Sequence, residues 1–156
     1  MANKNNEQPT YTTSIICATG VLDAATAGSL GSNTNGATIY ASPNGAKDVG
    51  TRIDSLVINT NDTAIVNVFI YILDTDDTTV IPLGIVNVPA SSGNSGSIAS
   101  VDALSGSGVS LQGMKKDGNG KFYIDLAADQ TLKCSVLAAM TAAKKCWVTA
   151  MGGNYN

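Results

Sequence analysis

The sequence predicts an all-β protein, an antiparallel β-sandwich of jelly-roll type that is preceded by an extended N-terminal arm. Three observations lead to this fold class. Short stretches in which apolar and polar side chains alternate with period two recur at fairly regular spacing, roughly seven to nine times. Clusters of Gly, Pro, Asn, Asp and Ser separate these stretches, and no helical period persists beyond about two turns. A closed barrel is the alternative arrangement of the same strands.

Length and composition fit one domain behind a short polar arm. The chain has 156 residues, of which 44% are hydrophobic and 13% are charged. A chain of this length buries about two thirds of its unfolded surface, so a substantial core is expected. The charged share is about half of the usual value, which is typical of a turn-rich β-protein with hydroxyl and amide side chains on its surface. We expect residues 1–12 to form the arm and residues 13–156 to form the domain.

The most apolar and most β-prone stretch is residues 64–73, which we predict to be the central strand. One face of this strand carries Val66, Val68, Ile70 and Ile72. The opposite face carries Ile65, Phe69, Tyr71 and Leu73. In an antiparallel domain one face of a strand normally lies on the core and the other is hydrated. We therefore predict that the second face is a contact surface for another molecule.

The other predicted strands follow from the same alternation. They are residues 14–18, 37–42, 51–60, 79–88, 121–126, 132–138 and 145–151. In the third of these, Ile53 and Val57 are expected on one face and Leu56 and Ile58 on the other. The fourth contains Pro82, which lacks an N–H group and therefore indicates an edge strand or a bulge.

The last three strands have a clear core face. Their inward side chains are predicted to be Phe122, Ile124, Leu126, Leu132, Cys134, Val136, Ala138, Cys146, Val148 and Ala150. The only tryptophan, Trp147, is expected on the opposite side as a core or subunit-interface residue. Two segments, residues 21–28 and 100–105, have the composition of single helical turns. Tight turns are predicted at residues 43–45, 61–63, 74–78 and 117–120.

Charge and hydropathy disfavour a nucleic-acid or membrane partner. The net charge is −3 and the pI is about 4.6. Nine scattered Lys and Arg residues do not make the basic patch that a nucleic acid requires. No stretch reaches the roughly 18 apolar residues of a membrane helix, and the N-terminus lacks the apolar middle region of a signal peptide. We expect synthesis in a cytoplasm.

The sequence contains no motif that predicts an enzyme or a cofactor. It has no histidine, which removes most zinc sites and the commonest general base. The three cysteines are predicted to be small core residues, with a Cys134–Cys146 bridge as the alternative. The segment with Asp74, Asp76 and Asp77 has the alternation of a calcium loop but lacks its glycine and closing glutamate. We predict a solvated hairpin tip there, no metal and no catalytic residue.

The pattern of turns and strands from residue 37 to residue 155 resembles a known family. The matching segments are ATIYASPNGAKDVGTRIDSLVINTNDTA, LGIVNVPA, KDGNGKFYIDLAADQTLKCSVLAA and VTAMGGNY. They resemble the small β-sandwich virion proteins of tailed bacteriophages that decorate or cement the capsid. The resemblance is one of layout and includes no catalytic motif.

This resemblance implies a non-catalytic structural protein on the outside of a phage capsid, with the major capsid protein as its partner. It also implies homo-oligomers, of which trimers are favoured, and a location on the virion. Together with the doubly apolar central strand, it leads us to expect six subunit or capsid contacts, at Ile65, Phe69, Tyr71, Leu73, Trp147 and Tyr11. We expect the arm to become ordered only against the capsid or a neighbouring subunit.

Two other functions fit the same sequence. One is another virion component, such as a tail, collar or head-fibre protein. The other is a carbohydrate-binding β-sandwich, which predicts a row of exposed Tyr or Trp side chains. Aromatic residues make up only 5% of the chain, which is low for such a platform.

Overall fold

The computed structural model describes residues 11–30, 32, 35–44, 50–105, 111 and 114–155, apart from the side chains of residues 11–13 and 155. In this part of the chain ten β-strands form two antiparallel sheets that pack against each other, so the predicted fold class is confirmed. The same residues contain one 3₁₀ turn, Ala24–Thr26, within the first segment that was predicted to be helical. The second such segment instead begins with a short strand.

The strand bounds are as follows. They are β1 Tyr11–Leu22, β2 Ala37–Ala41, β3 Gly50–Thr60, β4 Val66–Leu73, β5 Val80–Val88, β6 Val101–Asp102, β7 Lys115–Lys116, β8 Phe122–Ala127, β9 Thr131–Val136 and β10 Cys146–Tyr155. Sheet A has the order β1-β10-β3-β8-β7, with β6 also paired to β3. Sheet B has the order β2-β9-β4-β5. The core lies between the sheets.

The predicted faces of β3 are confirmed for Leu56, Val57 and Ile58 but wrong for Ile53, because a bulge interrupts the alternation before Leu56. The pairing of β10 with β3 shifts between Met151 and Gly152, so that Asp54 is an extra residue in β3. An extra residue reverses the side-chain alternation beyond it. Ile53 and Leu56 therefore both point into the core, where each is fully buried.

Several other expectations for the strands are confirmed. The pairing of β4 with β5 shifts next to Pro82, and β5 is one of the two edge strands of sheet B. Leu132, Cys134 and Val136 of β9 are buried in the core, as predicted. The prediction is wrong for Ala138, which is exposed because β9 ends two residues earlier and the chain turns there.

Both terminal strands are longer than predicted. β1 has 12 residues and begins at Tyr11, so the last two residues of the predicted arm belong to a strand. Residues 1–10, which contain the rest of that arm, lie outside the described residues. β10 continues through the two glycines near its end and pairs with β1 along most of its length.

A network of polar side chains links the two sheets at one end of the interior. The Oδ1 atom of Asn154 accepts hydrogen bonds from Thr51 Oγ1 at 2.8 Å and from Tyr40 Oη at 3.1 Å. Its Nδ2 atom donates to Ser14 Oγ at 2.9 Å. Ser42 Oγ lies 2.9 Å from Thr51 Oγ1. Because these polar groups are hydrogen-bonded to one another, they connect β1, β2, β3 and β10 and none of them is left unpaired.

Candidate functional site

The second face of β4 is covered within the chain at three of the four predicted contact positions. Phe69, Tyr71 and Leu73 are 1%, 0% and 5% exposed, whereas Ile65 is 62% exposed. The rings of Phe69 and Tyr71 stack with centroids 5.0 Å apart. Burial raises the pKa of the Tyr71 hydroxyl to about 12, so this phenol is neutral at ordinary pH. The expectation that this face is open is therefore wrong, except at Ile65.

The close approach of Gly36 explains part of this cover. A Cβ atom at Gly36 would lie 1.8 Å from Tyr71 Oη. The chain just before β2 therefore passes directly against the outer side of sheet B. The sequence pattern of β4 shows two apolar faces but contains no information about which segment covers the second one.

The other two predicted contact residues lie on sheet A. Trp147 is half-buried in β10, beside Val21 of β1 and Asn59 of β3. Tyr11 begins β1 and pairs with Tyr155 through the main chain. Its side chain is outside the described residues, so its contact role stays a prediction.

The outer face of sheet A is an uncharged surface near its β1 edge, and we call it the sheet A face. It consists of Ile15, Cys17, Thr19, Val21, Ser55, Val57, Asn59, Trp147, Thr149 and Met151. Ile15 is 90% exposed because its neighbour on β10 is Gly153, which has no side chain to cover it. An apolar side chain this exposed on a regular strand is a candidate for contact with another protein.

A second surface with exposed apolar side chains lies at the end of the sandwich where the β1–β2, β3–β4, β5–β6 and β9–β10 connections meet. We call it the loop end; the β9–β10 connection also carries Lys144 and Lys145. Its exposed apolar side chains are Leu30, Ile65 and Ile98. One shallow cleft of about 400 Å³ lies between residues 27–29, 32 and 35 on one side and residues 137–139 on the other. A smaller cleft of about 70 Å³ lies between residues 62–67 and 138–141.

Asp62 fixes the shape of the loop end. It is 1% exposed, and its carboxylate joins two connections that are far apart in sequence. Thr141 donates to it twice, from its N–H at 2.9 Å and from its hydroxyl at 2.7 Å, and the Ala64 N–H donates at 3.0 Å. Burial alone would raise the pKa of the Asp62 carboxyl, but these hydrogen bonds outweigh it and hold the pKa below its usual value.

We expect Asp62→Asn to lower the free energy of unfolding by about 2 kcal/mol at neutral pH, because the amide keeps only one acceptor oxygen and its NH₂ group cannot accept the hydrogen bond that the other carboxylate oxygen accepts. A carboxyl whose pKa is lowered by folding stabilises the protein above the pKa of the unfolded chain, and this contribution disappears as the pH falls through the folded value. The difference between the two proteins should therefore shrink as the pH falls below about 4 and through the lowered pKa of the folded state. Urea denaturation at a series of pH values measures it. A difference that is independent of pH would contradict this role of the carboxylate.

The opposite end of the sandwich is acidic, and we call it the acidic end. Its turns carry Asp74, Asp76, Asp77 and Asp129. The Asp76 carboxylate accepts hydrogen bonds from the hydroxyl of Thr79 and from main-chain N–H groups, and these lower its pKa. Asp74 Oδ1 accepts from the Gln130 amide at 3.0 Å. Among the described residues no cluster of three or more potential ligands could hold a metal ion.

A cluster of charges on sheet A has a structural role. The Arg52 guanidinium lies 2.7 Å from Asp54, 3.4 Å from Asp117 and 4.0 Å from the ring centroid of Tyr123. Hydrogen bonds from the main-chain N–H groups of Lys121 and Asn119, together with Arg52, lower the pKa of Asp117. These contacts tie the β7–β8 turn to β3.

The three cysteines are free thiols. The prediction of a core position is confirmed for Cys134 and Cys146, which belong to opposite sheets and meet the same core. Burial raises the pKa of Cys146 to about 12, so its thiol is unreactive at ordinary pH. The prediction is wrong for Cys17, which is exposed because it lies on the outer side of an edge strand.

Comparison with protein-family models, with curated proteins and with solved structures finds no match to this chain. In the part of the chain that the structure describes, no helix is long and apolar enough to span a membrane. The surfaces themselves are therefore the basis for a functional proposal.

Proposed function

We propose that the chain is a non-catalytic virion protein that binds the outside of a phage capsid and stabilises it, with the major capsid protein as its partner. The observation that carries the proposal is the contrast between the two ends of the sandwich. The loop end has exposed apolar side chains and two shallow clefts, whereas the acidic end has four aspartates. We place the capsid contact at the loop end.

The chemistry of the loop end supports this placement. Ile65 is 62% exposed beside the smaller cleft, and Leu30 is 61% exposed beside the larger one. The hydrogen bonds of Asp62 hold the two connections next to Ile65 in fixed positions, which reduces the conformational entropy that binding would cost. A rigid surface with apolar side chains around small clefts fits a protein partner better than a charged ligand.

The charge distribution supports the same orientation. At the acidic end, the described residues of the turns, 42–44, 74–79 and 128–130, contain no basic side chain. Copies that crowd on a shell would repel one another if these ends met. With the loop end on the capsid, the acidic ends point outward into solvent. The trimers that the resemblance implies are proposed for copies bound at three-fold positions of the shell.

The test is co-sedimentation with shells assembled from the major capsid protein encoded in the same genome. We expect the protein to sediment with the shells and to raise the temperature at which they disassemble. Ile65→Asp should weaken the binding by about tenfold, because it introduces a charge that would be buried. Thr75→Asp introduces the same side chain at the acidic end and should leave the binding unchanged.

The outcomes separate the function from the contact surface. If the protein stays in the supernatant at every concentration, the capsid function is wrong. If the protein sediments but both variants bind equally well, the loop end is not the contact. Assembly into rings or fibres without shell binding would favour a tail, collar or head-fibre protein.

The described aromatic side chains disfavour the carbohydrate-binding alternative. Tyr71 is buried, Trp147 is half-buried, and the ring of Tyr123 is covered by Arg52. Tyr40 bonds to Asn154 in the interior network. These rings therefore do not form the exposed row that a sugar platform requires.

A further inference from the structure

In the described part of the chain β1 has an open edge. It pairs there with β10 alone, and no hydrogen bond between main-chain groups joins it to another described segment. β2 lies on its core side, since a Cβ atom at Gly20 would lie 3.0 Å from the Thr38 carbonyl oxygen and 2.2 Å from Ile39 Cδ1. The core below β1 is therefore closed, while the edge remains available for another strand.

The other sheet edges carry features that block strand addition, and β1 carries none of them. β2 has five residues and a register shift. β5 contains Pro82 and a register shift, and β7 consists of two lysines. Short length, bulges, proline and lysine are the usual protection of an edge. β1 is 12 residues long, contains no charged residue and no proline, and pairs regularly from Ile15 to Leu22.

We propose that a second copy of this chain adds to sheet A through β1, antiparallel to the first β1. A two-fold axis at Ala18 would place Ile15 opposite Val21 of the second copy, and Cys17 opposite Thr19 of the second copy. This register centres the pairing on the regular part of the strand. It also covers the two exposed apolar side chains of the strand, which are 90% and 41% exposed.

Self-pairing fits β1 better than other occupants of the edge. In a two-fold contact the same strand of both copies meets itself. Because β1 has no charged side chain, the contact brings no like charges together. Residues 1–10 are a poorer partner because they contain Lys4, Glu7 and Pro9. The pairing also joins the two sheet A faces into one continuous surface. This association is a property of the chain in solution and is independent of capsid binding.

The first test is the mass of the full-length protein in solution by light scattering, over a range of concentrations. We expect a dimer, with twice the 15.9 kDa of one chain. Ile15→Lys should raise the dissociation constant of the dimer by at least about tenfold. Ile85→Lys places the same charge on an exposed isoleucine of the other long edge strand and should leave the dimer intact. Equal urea midpoints of Ile15→Lys and the unmodified chain, both measured at a concentration where the chain is monomeric, would show that the variant is folded.

The second test determines the register in which the β1 strands of the two copies pair. Opposed residues of antiparallel strands have Cα atoms about 4.5–5.5 Å apart, which is within the range of a disulfide. Under oxidation, Thr19→Cys should form a covalent dimer with Cys17 of the second copy. Val21→Cys has no thiol opposite it and should stay uncrosslinked. A monomer at every concentration, a trimer, or a dimer that Ile15→Lys does not weaken would overturn the inference.

Discussion

Replacing Phe69 by alanine should lower the free energy of unfolding by about 3–5 kcal/mol, because the side chain is 1% exposed and its loss leaves a cavity. The substitution also removes the ring contact with Tyr71. The effect should appear in urea denaturation of the chain at a concentration where it is monomeric. This result would distinguish a residue buried within one chain from a residue that becomes buried only on association.

Ile65→Ala is the matched control. Ile65 immediately precedes β4 and belongs to the same predicted face, but it is 62% exposed. Its replacement should change the free energy of unfolding by less than about 1 kcal/mol. If Phe69→Ala changed the free energy of unfolding as little as this control, the second face of β4 would not be covered within the chain. It would then be an open contact surface, as the sequence predicts.

The alternation of side chains was sufficient to predict the fold class and most strands. β4, β8 and β9 have the period that the pattern predicts, since local side-chain alternation reports which backbone is extended and which face is apolar. It does not report what covers a face. The cover over Tyr71 includes Gly36, which is 35 residues away in sequence and has no side chain to reveal the contact.

Bulges and long-range hydrogen bonds also could not be predicted from the alternation of side chains. The extra residue Asp54 in β3 depends on the neighbouring strand β10, about 100 residues later in the chain. Asp62 was recognised as a turn residue, but its partner Thr141 is 79 residues away. β1 was predicted too short because residues 19–22 begin with Thr and Gly, and their pairing with β10 rather than their hydropathy makes them part of the strand.

The two candidate surfaces occupy different parts of the molecule. The open edge of β1 lies along the side of sheet A, while the loop end lies where four connections meet. Antiparallel pairing through β1 places the loop ends of the two copies at opposite ends of the dimer, so one copy at a time presents its loop end to a shell. The structure thus allows self-association and capsid binding to be tested by separate substitutions, at Ile15 and at Ile65.

Gly152→Ala should lower the free energy of unfolding by about 3 kcal/mol, at the upper end of the usual cost of overpacking. Gly152 lies at the bulge between β10 and β3. A Cβ atom there would lie 1.9 Å from the Arg52 carbonyl oxygen and 2.9 Å from Ile53 Cα. These are main-chain atoms of a central strand, so no side-chain rotation relieves the clash and β10 must move away from β3.

Gly118→Ala is the control for this substitution. Gly118 lies in the exposed turn between β7 and β8, where a Cβ atom would meet nothing within 4 Å. Its replacement should change the free energy of unfolding by less than about 0.5 kcal/mol. Urea denaturation of both variants measures the difference. Equal midpoints would mean that β10 does not approach β3 this closely, and the bulge that puts Ile53 and Leu56 on the same side of the sheet would then be wrong.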